Sequence, residues 1–128
     1  METHTFRYTD LHEEHVKWMN EIIFLNDDLK ILKNRLDEIA SKYNSKEVLV
    51  EVEKYQNKFI RLKEVNDELM HELKQNENML EKIIKEKKNH AYELRFNDHA
   101  LLREKTNTNN KIFAQTKQEF NQFLSKYM

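Results

Sequence analysis

Hydrophobic residues in the first third of the chain recur alternately every four and every three positions from Leu11 to Tyr43, with His15 as the one polar residue in the series. An apolar residue every 3.5 positions on average keeps one face of an α-helix apolar along its length, which is typical of helices that pack in bundles. The pattern therefore predicts one long helix over about residues 10–43. Its predicted core positions are Leu11, His15, Trp18, Ile22, Leu25, Leu29, Leu32, Leu36, Ile39 and Tyr43.

The same spacing returns twice further along the chain and predicts helices over about residues 45–87 and 98–127. Between them, at 87–97, the spacing stops, and we expect a loop that covers the end of the bundle with Tyr92, Leu94 and Phe96. The core positions of the second helix are Val48, Val52, Tyr55, Phe59, Leu62, Asn66, Leu69, Leu73, Asn76, Leu80 and Ile83. Those of the third are His99, Leu102, Thr106, Asn109, Phe113, Thr116, Phe120, Phe123 and Tyr127.

Residues that start helices precede each of the three segments, and residues that end helices are missing. The predicted N-caps are Asp10 with Glu13, Asn44 with Glu47, and Asn97 or Asp98. The chain contains no Gly and no Pro, the residues that most often interrupt helices. Three long helices with short connections predict one all-α domain over residues 1–128. We expect an up-down-up antiparallel bundle with coiled-coil-like packing.

Composition excludes several functions. The 22 Lys and Arg nearly balance 23 Asp and Glu, so the excess positive charge that nucleic-acid binding needs is missing. Without Gly there is no phosphate-binding glycine loop, and without Cys there is no disulfide and no thiolate metal site. No stretch approaches the roughly 20 apolar residues of a membrane span. We therefore expect a cytoplasmic, non-enzymatic protein with no cofactor, no nucleic acid and no membrane partner.

The six histidines are predicted to lie in the same half of the bundle. Folding the second helix back at about residue 44 and the third at about residue 90 brings together His4, His12, His15, His71, His90 and His99. The polar core residues Asn76, Thr106 and Asn109 fall in the same half. Three interpretations remain open: a hydrogen-bonded polar layer, a metal site, or a contact that responds to pH.

A metal site is the alternative function. Its candidate ligands are His12, His15, His99, Glu77 and Asp98. Imidazole combined with carboxylate suits Fe, Mn, Zn or Cu. However, the Glu-x-x-His motif of ferritin-like di-iron bundles occurs only once, from Glu68 to His71, and the paired histidine motifs of hemerythrin-type sites are missing. Glu13 and Glu14 have a simpler interpretation as acidic residues that stabilise the first helical turn.

A second apolar set lies outside the core positions of the first helix, at Val16, Ile23, Phe24 and Ile31. Extra apolar surface on such a polar protein indicates a partner surface, for a homodimer or another helical protein. Broad packing where helices cross is the alternative explanation. The main prediction of function is therefore an interaction or structural module that self-associates.

Two resemblances accompany these patterns. Trp18 at a core position of the first of three helices is similar to spectrin-type repeats, which implies architecture only. The segments LHEEHVKW (11–18), DH (98–99), LR (102–103), KIF (111–113) and EFNQFLSK (119–126) resemble small uncharacterised bacterial helical-bundle proteins. This second resemblance covers most of the chain and implies no activity.

Overall fold

In a computed structural model of the protein, residues 8–86 and 89–127 are described, with side chains for 9–85 and 98–127. Three helices make up nearly all of this part of the chain: α1 (Tyr8–Lys42), α2 (Lys46–Glu86) and α3 (Asn89–Tyr127). No strand occurs within the described residues. The predicted all-α bundle is therefore confirmed.

Side-chain pairs between helices show the up-down-up arrangement directly. Three pairs join α1 to α3: Glu14 with Arg103, Glu21 with Asn110, and Asp28 with Lys117. Their residue numbers all differ by 89, as parallel helices require. Between α2 and α3, the numbers of each pair instead add to 177, as antiparallel helices require; these pairs are Lys58 with Glu119 and Glu72 with Lys105.

Every predicted core position within the described side chains is buried or partly buried. The alternation of four and three positions therefore identified the inward face of all three helices. Most polar members of the pattern are as buried as the apolar ones, with Asn66 at 0% and Thr106 at 1% exposure, while Asn76 is partly buried. A buried polar group is costly unless it is hydrogen-bonded, so the stability of this core depends on the hydrogen bonds of these side chains.

The predicted N-caps of the first two helices are wrong. α1 is already helical at Tyr8, so Asp10 lies within the first turn, where its charge stabilises the helix dipole. At the start of α2, the backbone N–H of Val48 donates to the side-chain hydroxyl of Ser45 at 3.4 Å, so Ser45 is the cap and Asn44 is not. Asn and Ser are nearly equal as N-caps, and sequence alone could not choose between neighbours.

The predicted loop before the third helix is also wrong, because α3 begins at Asn89 and not at about residue 98. The predicted caps Asn97 and Asp98 therefore lie inside a helix. The loss of apolar spacing removed a packing signal, but the segment has no Gly or Pro that would oppose helix formation. The side chains of Tyr92, Leu94 and Phe96 lie outside the described residues.

The buried apolar residues form two clusters, separated by a layer of asparagines. The larger cluster lies toward the α1–α2 connection and is rich in aromatic rings. The smaller one surrounds Trp18. Between them Asn109 donates to Asn66, which donates to Asn26, each at 2.8 Å. Beyond the smaller cluster, toward the start of α1, the three helices meet through histidines and carboxylates.

Candidate functional site

Two buried histidines from different helices contact each other at this end of the bundle. His15 of α1 and His99 of α3 are each 2% exposed, and Nε2 of His15 lies 3.2 Å from Nδ1 of His99. Both residues occupy core positions of the heptad pattern, which explains why the two rings face inward. Their partner is Trp18, whose ring centroid lies 4.8 Å from that of His99.

A carboxylate binds each of these histidines on its other ring nitrogen. On the α2 side, Glu77 accepts from Nδ1 of His15 at 2.7 Å through one oxygen and from Nδ1 of His12 at 2.6 Å through the other. On the α1–α3 side, Glu14 accepts from Nε2 of His99 at 2.8 Å. A continuous row of hydrogen bonds therefore runs from Glu77 through the two buried rings to Glu14.

Arg103 completes the arrangement by binding Glu14. Its Nη2 and Nε donate to the two carboxylate oxygens at 2.5 and 3.3 Å, a fork that suits the planar guanidinium. We refer to these six side chains as the histidine cluster: His12, His15, Glu77, His99, Glu14 and Arg103. Residues from all three helices contribute to it.

The cluster lowers the pKa values of both carboxylates. For Glu14 and Glu77, partial burial acts to raise the pKa, but hydrogen bonds and neighbouring positive charge outweigh it, from Arg103 and His99 in one case and from His15 and His12 in the other. The pKa of His99 is also lowered, mainly because burial disfavours its charged form. The carboxylates are therefore hydrogen-bond acceptors at neutral pH.

The structure brings together four of the five candidate metal ligands. His12 and His15 share Glu77, and His99 joins them through His15. The fifth, Asp98, lies at the groove between α2 and α3, which Glu72 and Lys105 also line. Within the described residues, no three His, Asp or Glu side chains are arranged to hold a metal ion. The alternative of an Fe, Mn, Zn or Cu site stays a prediction.

The remaining histidines are outside this row. His71 is exposed, as its outer heptad position predicts. The side chains of His4 and His90 lie outside the described residues, so their predicted place in the same half stays a prediction. The gathering of histidines at one end is confirmed for His12, His15 and His99.

The role of Glu14 in the histidine cluster does not follow from the sequence pattern. Glu14 was expected to stabilise the first turn of the helix, yet its carboxylate binds both His99 and Arg103. A signal was present in the sequence, because Glu14 and Arg103 flank core positions and are 89 residues apart, as are Glu21 and Asn110. Using it requires the register of α1 against α3, which the apolar pattern alone does not supply.

The second apolar set of α1 lies on the outside of the bundle. Val16, Ile23, Phe24 and Ile31 are 38%, 52%, 68% and 55% exposed. Packing of the three helices therefore does not account for these residues. We call these four residues the apolar stripe.

No helix in the described part of the chain has the length and apolar character needed to span a membrane. Comparisons with protein-family models, with curated proteins and with solved structures find no match to this chain. The resemblance to small bacterial helical proteins therefore stays a prediction.

Proposed function

We propose that this protein is a non-enzymatic interaction module that self-associates through the apolar stripe of α1. The observation that carries the proposal is the exposure of four large apolar side chains along one face of a highly charged protein. Exposed apolar surface of this kind is typical of protein interaction sites. The proposed setting is the cytoplasm, and nucleic acid is not among the proposed partners.

The stripe follows one side of α1. From Val16 to Ile31 it extends about 22 Å at 1.5 Å per residue. Its members are seven residues apart in two rows, Val16 with Ile23 and Phe24 with Ile31, so they return to the same face every two turns. Exposed polar residues share that face: Asn20 and Asp27 lie between the two rows, Lys30 follows Ile23 in the first row and Lys17 precedes Phe24 in the second.

A second copy of the chain is the partner that fits the stripe best. The midpoint of the stripe lies between Ile23 and Phe24. In each direction from this midpoint, the next member of the stripe is seven residues further along, Val16 before Ile23 and Ile31 after Phe24. A two-fold axis through that midpoint would set Val16 of one copy against Ile31 of the other, and Ile23 against Phe24. Two-fold interfaces require this kind of self-complementary surface.

The expected association is weak. Four partly exposed side chains offer much less than the roughly 800 Å² per partner of a standard interface, so we expect a dissociation constant of roughly 100 μM. Lys17 and Lys30 are related by the same symmetry, which places positive charges of the two copies near each other. Salt screens such repulsion, and association should therefore tighten as ionic strength rises.

Sedimentation equilibrium from about 10 μM to 1 mM tests the proposal in this affinity range. The average mass of the wild-type protein should rise toward that of a dimer, and Phe24→Gln should keep the protein monomeric. Val50→Gln is the matched control, because Val50 is as exposed (56%) as Ile31 but lies on α2. A wild-type protein that stays monomeric throughout, or equal weakening by both variants, would contradict the proposal.

A further inference from the structure

A third row of α1 follows the line between the two rows of the apolar stripe, and carboxylates alternate with amides along it. Its members are seven residues apart and all exposed: Glu13, Asn20, Asp27 and Asn34. Because residues seven apart return to the same side of a helix, these side chains form one line along the middle of the face that carries the stripe. We call this line the polar row. A helix that packs on the stripe must also contact the polar row.

We propose that the polar row fixes the orientation and register of the second copy of the chain, by setting each carboxylate of one copy against an amide of the other. This inference rests on the proposed self-association through the apolar stripe. With a two-fold axis through the midpoint of the stripe, residues at equal distances on either side of that midpoint face each other. Asn20 then faces Asp27 of the second copy, and Glu13 faces Asn34 of the second copy.

The chemistry of each facing pair is complementary. The amide nitrogen of asparagine donates hydrogen bonds, and a carboxylate accepts them, so each pair supplies one donor group and one charged acceptor. Two-fold symmetry repeats both pairs, and the dimer therefore contains four such contacts. A polar group that loses water when the face is covered is costly unless it gains a partner. The facing amides supply that partner to every carboxylate of the row.

Other two-fold arrangements of the same face lack this complementarity. Parallel helices related by a two-fold axis set each residue against itself, so Asp27 would face Asp27 and Glu13 would face Glu13. An antiparallel shift by one heptad sets Asp27 against Asp27 in one direction and Glu13 against Asp27 in the other. Like charges that face each other across an interface are unfavourable. The alternation of carboxylates and amides therefore selects a single two-fold arrangement.

Cysteine cross-linking tests the orientation, since the chain has no cysteine of its own. At about 1 mM protein under mild oxidation, a mixture of Glu13→Cys and Asn34→Cys chains should form disulfide-linked dimers at least about tenfold faster than either variant alone. In the antiparallel arrangement, the two copies of residue 13 lie about 30 Å apart along the helices, too far for a disulfide. Faster linking of Glu13→Cys chains to each other would overturn the proposal, because it would show parallel helices.

An exchange of the two inner residues tests the dependence on charge. Asn20→Asp sets two carboxylates against each other at two places in the dimer, so the dissociation constant should rise at least about tenfold. Adding Asp27→Asn to the same chain again sets each carboxylate against an amide and should restore wild-type association. Asn57→Asp is the matched control, because it adds the same charge at an exposed position of α2. Sedimentation equilibrium measures all four proteins.

The outcomes separate this inference from the proposed function. Association of the wild-type protein that is lost in Phe24→Gln would support the stripe as the interface. If in addition Asn20→Asp associated as tightly as Asn57→Asp, or the double variant did not recover, the pairing along the polar row would be overturned and the interface would stand. A wild-type protein that stays monomeric would contradict the proposed function itself, and the pairing with it.

Discussion

Around Phe120 the core is built from aromatic rings of α2 and α3, and the ring centroids of Tyr55, Phe59 and Phe123 all lie within about 6 Å of that of Phe120. Around His15 and His99, about 30 Å away along α3, the helices meet through nitrogen and oxygen atoms. Both ends use the same heptad positions. This difference shows that the spacing determines which residues face inward. The chemistry of those residues determines which interactions join the helices at each end.

The two ends should also depend differently on conditions. Packing of these rings involves no group that titrates near neutral pH, since burial raises the pKa of the Tyr55 hydroxyl above its usual value, and this packing changes little with pH or salt. The histidine cluster depends on the charge states of Glu14, Glu77 and His99, all of which have shifted pKa values. We therefore expect the aromatic end to supply most of the stability, and the histidine end to make that stability depend on pH.

The largest expected effect comes from the aromatic end. Phe120 is 0% exposed, so Phe120→Ala should lower the free energy of unfolding by about 3–5 kcal/mol, because it leaves a cavity between three helices. Urea denaturation measures this loss. Phe24→Ala is the control, since Phe24 is 68% exposed and its loss should cost under about 0.5 kcal/mol in the monomer. Similar losses for both variants would show that the aromatic end is not the main source of stability.

A smaller loss is expected at the histidine end. Glu77→Ala removes the acceptor of both His12 and His15, and a buried donor left without its partner costs about 1–3 kcal/mol. The control is Glu64→Ala, because Glu64 is exposed and pairs with Arg61, three residues earlier on the same helix. The same denaturation experiment applies. A Glu77 variant as stable as the Glu64 variant would mean that the histidine cluster contributes nothing to folding.

The asparagine layer between the two apolar clusters should show the smallest net effect. Asn66→Leu alone should destabilise by about 1–3 kcal/mol, because it leaves the buried amide of Asn109 without its acceptor. The double variant Asn66→Leu with Asn109→Leu should be nearly as stable as the wild-type protein, since both fully buried polar groups are then gone and Asn26, the third member of the layer, is only partly buried. Thermal denaturation of the three proteins measures the pattern. Additive losses in the double variant would contradict it.

The fold was predictable because each helix carries its own periodic signal. The predicted turning points near residues 44 and 90 differ little from the observed pairings, in which Asn26 meets Asn66 and Lys58 meets Glu119. The start of α3 was not predictable in this way, since residues 89–97 form a helix without the apolar spacing. Ser45 could not be chosen as the cap because its neighbour Asn44 is an equally good candidate.

The candidate site was predictable only in part. The inward-facing positions and the two predicted reversals of chain direction were enough to predict that His12, His15 and His99 lie at one end of the bundle. Which nitrogen binds which oxygen depends on the relative rotation and register of the helices, to within a fraction of a helical turn. The joining of Glu14 to Arg103 and of Glu77 to two histidines therefore required the structure.

The expected response to acid follows from the shifted pKa values. Those of Glu14 and Glu77 lie below 4.5 and that of His99 lies below 6.5. The unfolded chain therefore binds more protons than the folded protein as pH falls below about 6.5, and binds still more below about 4.5. Stability supplied by these groups is present above this window and is lost as pH decreases through the lowered values.

Amide hydrogen exchange at pH 7 and pH 4.5, each corrected for the intrinsic exchange rate, tests the contrast between the two ends most directly. The segments to compare are 11–18, 73–80 and 99–106 at the histidine end, and 32–39, 52–59 and 116–123 at the aromatic end. Protection at the histidine end should fall at least about tenfold more on acidification than protection at the aromatic end. An equal fall at both ends, or a larger fall at the aromatic end, would contradict the account.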